Sequence, residues 1–377
     1  MTIPRIVIDA RMVDPQMHGF SRYVSLLIRG LAARHAASAL AYAPVILTAP
    51  GQSRFAQGFE VHEISTPFLS HLELTEIPRQ LRRLRADLYH SPTFSSLWSS
   101  PCPWILTIHD LNHLRFGGWK QRLYYRFVLK RFARRATRLL SVSDFSRHEI
   151  AAWLGRDAQS IGIARNALDP VFAADTGNST SPASTANVGQ GVLWRLGLKP
   201  GSYFFCLSND KPHKNVAMLE AAFLKYRASD AQSSLSLVNN LPIEEPAQSG
   251  IRRLGKLSDA EALVLYQGAR AVFFPSLYEG LGLPPVEAAA LGVPVVVSDI
   301  PAHREALAGL AEEEVLWLPA DQESAWVRAF GRSSQSALEA PSVTSRKKLL
   351  AEYSVEQLAQ SMDHFYQEAL GRGKKDL

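Results

Sequence analysis

Short apolar runs alternate with longer amphipathic stretches along the whole chain. Runs rich in β-branched and aliphatic residues at Arg5–Asp9, Val45–Thr48, Leu88–His90, Trp104–His109, Leu139–Ser143 and Ile161–Arg165 read as strands. Between them, Phe20–Arg34, Glu76–Ala86 and Gln121–Arg138 carry the apolar period of helices. Ser146 and Glu149 have capping-box spacing and predict one more helix start. The rhythm begins again with a strand at Tyr203–Leu207 and a helix at Asn215–Tyr226. Ser258 and Glu261 form a second capping box, opening a helix that runs to Ala269. Ala271–Pro275 and Val293–Ser298 read as strands around a short helix, Val286–Leu291, which Gly292 stops. Ser354–Leu370 is an amphipathic helix. Such alternation predicts βαβ units and parallel sheets, hence an α/β fold.

Between the two series lies a change of texture. Residues 173–191 contain a single Val and otherwise only small or polar residues, too little apolar surface to repay ordering. This marks a linker at 173–194 between a first domain, 1–172, and a second, 195–353. A length of 377 residues fits two domains, and a composition of 46% hydrophobic and 20% charged residues is enough to bury a core in each. Charge is uneven: residues 1–172 hold 22 Lys and Arg against 12 Asp and Glu, and the remainder holds 19 against 23. The first domain is therefore basic. Cys102 and Cys206 stand alone in no motif, which argues against a disulfide scaffold or structural zinc and fits a reducing compartment. The first residues read as a strand rather than a secretory leader, and no apolar run approaches the ~20 residues of a spanning helix. The expectation is a cytoplasmic protein, soluble or held at the inner face of the membrane.

The segment Pro275–Ala290 carries the most chemistry. It leaves an apolar strand, passes Glu279, Gly280, Leu281, Gly282 and Leu283, and enters a helix through Pro284 and Pro285. Glycines let backbone amides approach a ligand, and prolines suit a first helical turn. A helix start with exposed N–H groups is a site for a diphosphate. Glu279 and Glu287 flank it, eight positions apart. Carboxylates repel phosphate, so they require other partners, and sugar hydroxyls suit them as donors. Taken singly, Glu279 also reads as a solvated loop acid and Glu287 as a favourable first-turn acid.

The stretch Leu254–Ala302 resembles the donor-binding half of GT-B glycosyltransferases of family 4, above all in the Glu279 and Glu287 pair, which is similar to that family's Glu-x7-Glu signature. Ile8 to Arg11 with Gly19 to Tyr23, Thr107 to Asp110, Ser141 to Ser146, Asn166 to Asp169, and Lys211 to Asn215 are also similar, in the same order. The resemblance implies two Rossmann-like domains with parallel sheets facing an interdomain cleft, and a tail helix, 354–377, packed back on the first domain. It implies retaining transfer of a hexose from a nucleotide-sugar, with GDP-mannose a candidate donor, to a glycan or lipid-linked acceptor in polysaccharide or cell-surface glycan assembly. Glu279 would bind hydroxyls of the donor sugar, and Glu287 the ribose diol. The amides of Gly280, Leu281, Gly282 and Leu283 would hold sugar and diphosphate. Lys214 would neutralise the departing diphosphate. His109 would lie near the donor sugar, Gly19 by the diphosphate or acceptor, and Leu257 at the base. Many members have an Arg five residues before this Lys. Asn209 stands there instead, and Lys211 is the nearby candidate for a second phosphate cation.

None of the 15 Asp residues forms an Asp-x-Asp pair, so the expected mechanism needs no metal or other cofactor. Front-side attack and a covalent intermediate both remain open. Arg122, Arg126, Lys130, Arg134 and Arg138 recur every four residues along one expected helix, with Tyr124, Tyr125, Phe127 and Phe132 interleaved. Like charges at this spacing repel, and an anionic membrane would relieve them. No nucleic-acid motif accompanies them. A solvated helix face is the plainer alternative. Two rival functions stand beside the glycosyltransferase. An NAD-dependent two-domain oxidoreductase is disfavoured because His18–Arg22 lacks Gly-x-Gly-x-x-Gly. A non-catalytic sugar- or membrane-binding protein on the same fold is the other.

Overall fold

The computed structural model describes residues 3–14, 19–56, 58–95, 97–173, 191–243 and 250–373. The chain divides into two compact units, Met1–Asp169 with Tyr353–Leu377, and Pro170–Glu352. Residues 174–190, most of the expected linker, and the last four of the expected tail helix lie outside the described residues.

The first unit is built on seven strands: β1 Arg5–Asp9, β2 Ala43–Thr48, β3 Glu60–Glu63, β4 Leu88–Ser91, β5 Trp104–Thr107, β6 Arg138–Ser141 and β7 Ile161–Ile163. They lie in the order β3-β2-β1-β4-β5-β6-β7, and every pairing is parallel. A parallel sheet covered on both faces needs apolar strands, and β4 and β5 are buried throughout. The second unit holds β8 Tyr203–Cys206, β9 Ser236–Asn239, β10 Ile251–Arg253, β11 Ala271–Phe274, β12 Val295–Ser298 and β13 Val315–Leu318. Their order is β10-β9-β8-β11-β12-β13, again all parallel. One face is filled by aromatic rings, with Phe273 stacked on Phe330 at 4.4 Å between centroids and Phe204 edge-on to Phe273 at 5.3 Å. In each sheet the strand order reverses once, between β1 and β4 and between β8 and β11. Loops at the carboxyl ends of such strands form the ligand crevice of doubly wound folds.

Several local expectations are corrected. The stretch Gln121–Arg138 is not one α-helix: Trp119–Leu123 and Lys130–Ala133 are α-helical, and Tyr124–Leu129 between them is a π-helical turn. The wider turn breaks the four-residue charge register. Arg138 is the first residue of β6, paired with Ile105, because the chain has already turned at Arg135 and Ala136 to rejoin the sheet. The cap of the helix Asp144–Leu154 is Ser143, whose Oγ accepts from the Ser146 amide at 3.0 Å. Glu149 is instead paired with Arg115. The helix expected at Val286 begins three residues earlier, at Leu283. Ser258 and Glu261 do form the reciprocal box of the helix Asp259–Gly268.

The helix Val355–Gly373 packs on the helix Gly19–Ala36 of the first unit. Arg34 reaches Asp363 at 2.7 Å and Glu356 at 2.9 Å. Tyr366 hydroxyl lies 2.7 Å from Nδ1 of His90 at the core of the sheet, and Thr107 Oγ1 lies 2.9 Å from the other ring nitrogen. Burial pushes His90 down to about 3, so the ring is neutral and belongs to the packing. The two helices meet at Gly30, where a Cβ would come 2.7 Å from the Ala359 Cβ and 2.8 Å from the Val355 carbonyl. Gly30→Leu should therefore destabilise the protein by about 1–3 kcal/mol through overpacking. Urea unfolding followed by circular dichroism checks this, and an unchanged midpoint contradicts the close approach.

Candidate functional site

The reversal point of the second sheet brings two loops together. One follows β8 and the other follows β11. The Leu277 amide donates to the His213 carbonyl at 2.7 Å, and Asn215 Nδ2 donates to the carbonyls of Pro275 at 3.2 Å and Ala320 at 3.0 Å. Asn215 has φ of 57°, a left-handed conformation that Asn tolerates better than most residues. These ties set Lys214 against Glu279. The Lys214 ammonium donates to both carboxylate oxygens, at 2.7 and 2.9 Å, and Ser276 Oγ donates to Oε1 at 2.7 Å. The two side chains are 17% and 13% exposed, so the pair is sheltered yet open to a ligand at its edge. Burial acts to raise the Glu279 carboxyl, but the ammonium beside it prevails, and the group lies below its ordinary value.

Gly282 ends the β11 loop in a left-handed conformation, φ 87° and ψ 60°, and caps the helix Leu283–Ala290. A Cβ there would come 2.9 Å from Cδ2 of His303, so the position admits only glycine without movement. Pro284 and Pro285 lack N–H groups, so backbone donors at this tip come from the residues before them. Gly280, Leu281 and Gly282 are buried and Leu283 is half-buried. Glu287 lies one turn into the helix, 1% exposed, with the Tyr266 hydroxyl 3.3 Å from Oε2. The Tyr266 ring packs against Phe205 and Phe172. Asn209 and Lys211 are exposed, and Asn209 Oδ1 accepts from the Lys211 amide at 3.2 Å. Leu257 is half-buried in the loop between β10 and the Ser258 cap. The structure thus gathers Lys214, Glu279 and Gly282 in one place, with Glu287 behind them in the helix.

Gly19 and His109 belong to the first unit. His109 follows β5 at the sheet's reversal side. It is 7% exposed, and its Nε2 lies 2.9 Å from the Pro92 carbonyl. A carbonyl can only accept, so Nε2 carries the proton and Nδ1 is left as an acceptor. Phe20 and Tyr23 meet the ring edge-on at 4.8 and 4.7 Å. Burial lowers the imidazole to about 4, with the Pro92 carbonyl opposing, so at neutral pH it can accept a hydroxyl proton but not donate one from Nδ1. Gly19 opens its helix, is exposed, and has empty space where a Cβ would stand. Nearby, Arg11 donates to Asp9 at 2.6 Å and Glu73 at 2.7 Å, and the Tyr89 hydroxyl donates to Asp9 at 2.9 Å. This group of four is closed to solvent and pins the loop after β1.

Residues 17–172 match the model described as Glycosyltransferase Family 4, and residues 202–335 match Glycosyl transferases group 1. The chain belongs to the family 4 and group 1 glycosyltransferases. The O-antigen chain mannosyltransferase RfbU of Salmonella typhimurium is 25% identical over 277 residues, covering 70% of this chain and 69% of the relative. The O-antigen chain mannosyltransferase B of Escherichia coli is 28% identical over 234 residues, covering 58% and 59%. Among solved structures, Anabaena HepE in complex with UDP-glucose aligns with a TM-score of 0.66 at 13% identity, over 97% of this chain and 99% of that one. That likeness establishes the fold of this glycosyltransferase as GT-B.

Sequence reasoning overlooked Ser276, Asn215 and His303, which surround the Lys214 and Glu279 pair. Only Asn215, directly after the lysine, left any signal, as an Asn suited to a turn. Removing the ammonium with Lys214→Met should destabilise the protein at pH 7 by about 1–3 kcal/mol, because a sheltered carboxylate loses its partner. Glu279 has a depressed value in the fold, so the stability it contributes is present above the ordinary carboxyl range and is lost as pH falls through the folded value. The difference between wild type and variant should therefore shrink on acidification. Urea midpoints at pH 7 and pH 4 measure it, and a constant difference contradicts the pairing.

Proposed function

We propose that this glycosyltransferase moves a hexose, with mannose from GDP-mannose the leading candidate, to a growing surface or extracellular polysaccharide, with retention at the anomeric carbon and without a metal. The observation that carries the reading is the Lys214 and Glu279 pair beside the left-handed Gly282 turn, at the reversal point of the second sheet. The curated relatives named above, both called O-antigen chain mannosyltransferases, support the sugar and the product class.

The chemistry follows from these groups. A diphosphate leaving the sugar gains charge at the bridging oxygen as the glycosidic bond breaks. Lys214 supplies a cation at that point, and backbone amides before Pro284 supply dipoles. Glu279, ionised at neutral pH, accepts hydrogen bonds from sugar hydroxyls and so orients the ring. We assign Glu287 to the ribose diol. Retention is ascribed to attack on the face that the diphosphate leaves, with Glu279 assigned to the sugar hydroxyls rather than to nucleophilic attack.

A second element of the proposal is the membrane. Trp98, Trp119, Leu123 and Phe127 are 56%, 68%, 45% and 63% exposed, a concentration of large apolar side chains in the basic unit. Lys120, Arg122, Arg126 and Arg131 are exposed in the same segment, with Lys120 over Trp119 at 5.6 Å and Arg126 over Phe127 at 5.8 Å. Aromatic rings with adjacent cations suit the headgroup region of an anionic bilayer. Arg134 and Arg138 serve a different purpose: Arg134 donates to the Leu154 carbonyl at 2.7 Å and Arg138 to Ser160. Among the described residues no helix is long and apolar enough to cross a membrane.

Three experiments test the proposal. Glu279→Ala should lower kcat for sugar transfer by about 100-fold or more. GDP-mannose should raise the melting temperature more than UDP-glucose, UDP-GlcNAc or NAD does. Near-normal transfer by the variant, or a shift with NAD alone, overturns the reading. In flotation assays the protein should rise with vesicles containing anionic lipid and should lose this behaviour on Trp119→Ser with Phe127→Ser. Equal recovery with neutral vesicles removes the membrane element.

A further inference from the structure

His303 is wholly buried in the short helix Pro301–Ala306, beneath the Gly282 turn. Its Nδ1 lies 2.9 Å from the Ser298 carbonyl and 3.1 Å from Ser298 Oγ. Ser298 Oγ gives its own proton to the Ser276 carbonyl at 2.5 Å. Both groups therefore face Nδ1 as acceptors, which places the imidazole proton on Nδ1 and a lone pair on Nε2. Nε2 is buried and has no hydrogen-bond partner among the described residues. An orphan polar atom in the interior is costly, and one beside a functional turn requires a reason.

Its surroundings supply one. The point where a Gly282 Cβ would stand is 3.3 Å from His303 Nε2 and 3.8 Å from Glu279 Cγ, so the lone pair and the carboxylate side chain flank the same turn. The charged groups acting on the ring are Glu279, from the loop after β11, and Lys214, from the loop after β8. Arg304 and Asp299, its neighbours in sequence, are paired with one another at 2.7 Å on the surface. Burial holds the ring below its ordinary value, Glu279 and the Ser298 carbonyl favour the proton, and Lys214 opposes it. In the empty site Lys214 satisfies Glu279, and a second cation is unwelcome. A diphosphate on Lys214 reverses both conditions. It cancels the repulsion felt by His303, adds negative charge above Gly282, and draws the ammonium away from Glu279.

We propose that His303 is the switchable second cation of this site: neutral when the site is empty, and protonated at Nε2, by one proton taken from solvent, when a nucleoside diphosphate is bound. The inference rests on the reading of Lys214 and the Gly282 turn as a diphosphate site. It accounts for an exposed Asn at position 209, where a fixed Arg would otherwise stand. His303 touches no reacting atom in this scheme and acts as a positioning residue, holding Glu279 in its ionised, sugar-facing state while Lys214 attends to the leaving group.

The test is the pH dependence of GDP and UDP binding by calorimetry, on wild type and on His303→Asn. The amide of Asn keeps the donor to Ser298 but cannot titrate. Uptake of one proton makes the wild-type affinity fall about tenfold per pH unit more steeply than that of the variant, over the range from the lowered value of the free ring up to its value in the complex. Titration of the nucleotide's own phosphate contributes equally to both proteins and cancels. Parallel pH profiles overturn the proposal. Should the variant not fold, the ring carbon and nitrogen shifts of His303 in the wild type report the same event directly. A change from neutral ring to imidazolium on adding GDP or UDP is the expected result, and a ring that stays neutral in the complex refutes it. Absence of any GDP or UDP binding is a separate outcome, seen as no heat at any pH, and overturns the diphosphate site together with this inference.

Discussion

A carboxylate that is almost removed from water and a single ammonium that answers it organise the second unit. Desolvation acts against the charge on Glu279, and the approach of Lys214 to within hydrogen-bond distance of both oxygens is the largest of the effects that keep it ionised. That approach depends on backbone. The His213 carbonyl, the Leu277 amide and the Asn215 side chain join the two loops, and the left-handed turn at Asn215 puts Lys214 on the correct side. The strand order makes those two loops neighbours in the first place, since β8 and β11 lie side by side although far apart in sequence.

The two units treat charge at their reversal points in opposite ways. In the first, Arg11 bridges Asp9 and Glu73 with its side chain 1% exposed, a closed network that can exchange nothing with solvent. Its purpose is rigidity, with the Tyr89 and Ser95 hydroxyls completing the satisfaction of the carboxylates. In the second, the ion pair is left at an edge, and an unsatisfied imidazole lies beneath it. His109 stands between these extremes, a neutral ring whose one bonded nitrogen is fixed by Pro92 and whose other nitrogen is available.

Much of this was legible in the chain before folding. β5, β8, β11 and β12 are continuous apolar runs, and a fully buried parallel strand has no other way to be written. Glu279 and Gly282 were legible because a strand, a glycine turn and a helix start fall in succession, whereas Lys214 was legible only through the family resemblance of Lys211 to Asn215. Other features were hidden for physical reasons. β3 reads Glu-Val-His-Glu, the edge of its sheet, where solvent removes the apolar signature. The π-helical turn at Tyr124–Leu129 has the same kind of composition as an α-helix, so nothing in its residues marks it. His303 lies twenty-four positions beyond Glu279, and nothing in its neighbours Ala302 and Arg304 indicates that it ends beneath the glycine turn. Relations between distant loops are decided by sheet order, which periodicity does not encode.

The helix Val355–Gly373 returns to the unit in which the chain began, so the second unit is a continuous insertion, while the first is assembled from two segments. Gly30 and the pocket around His90 receive side chains that are synthesised only after the whole second unit. The usual order of synthesis, in which the leading domain matures first, is thereby reversed. The inserted unit can close on itself during translation, whereas the first unit must wait with an uncovered apolar flank until the helix Val355–Gly373 arrives, and that interval is when a chaperone has most to hold.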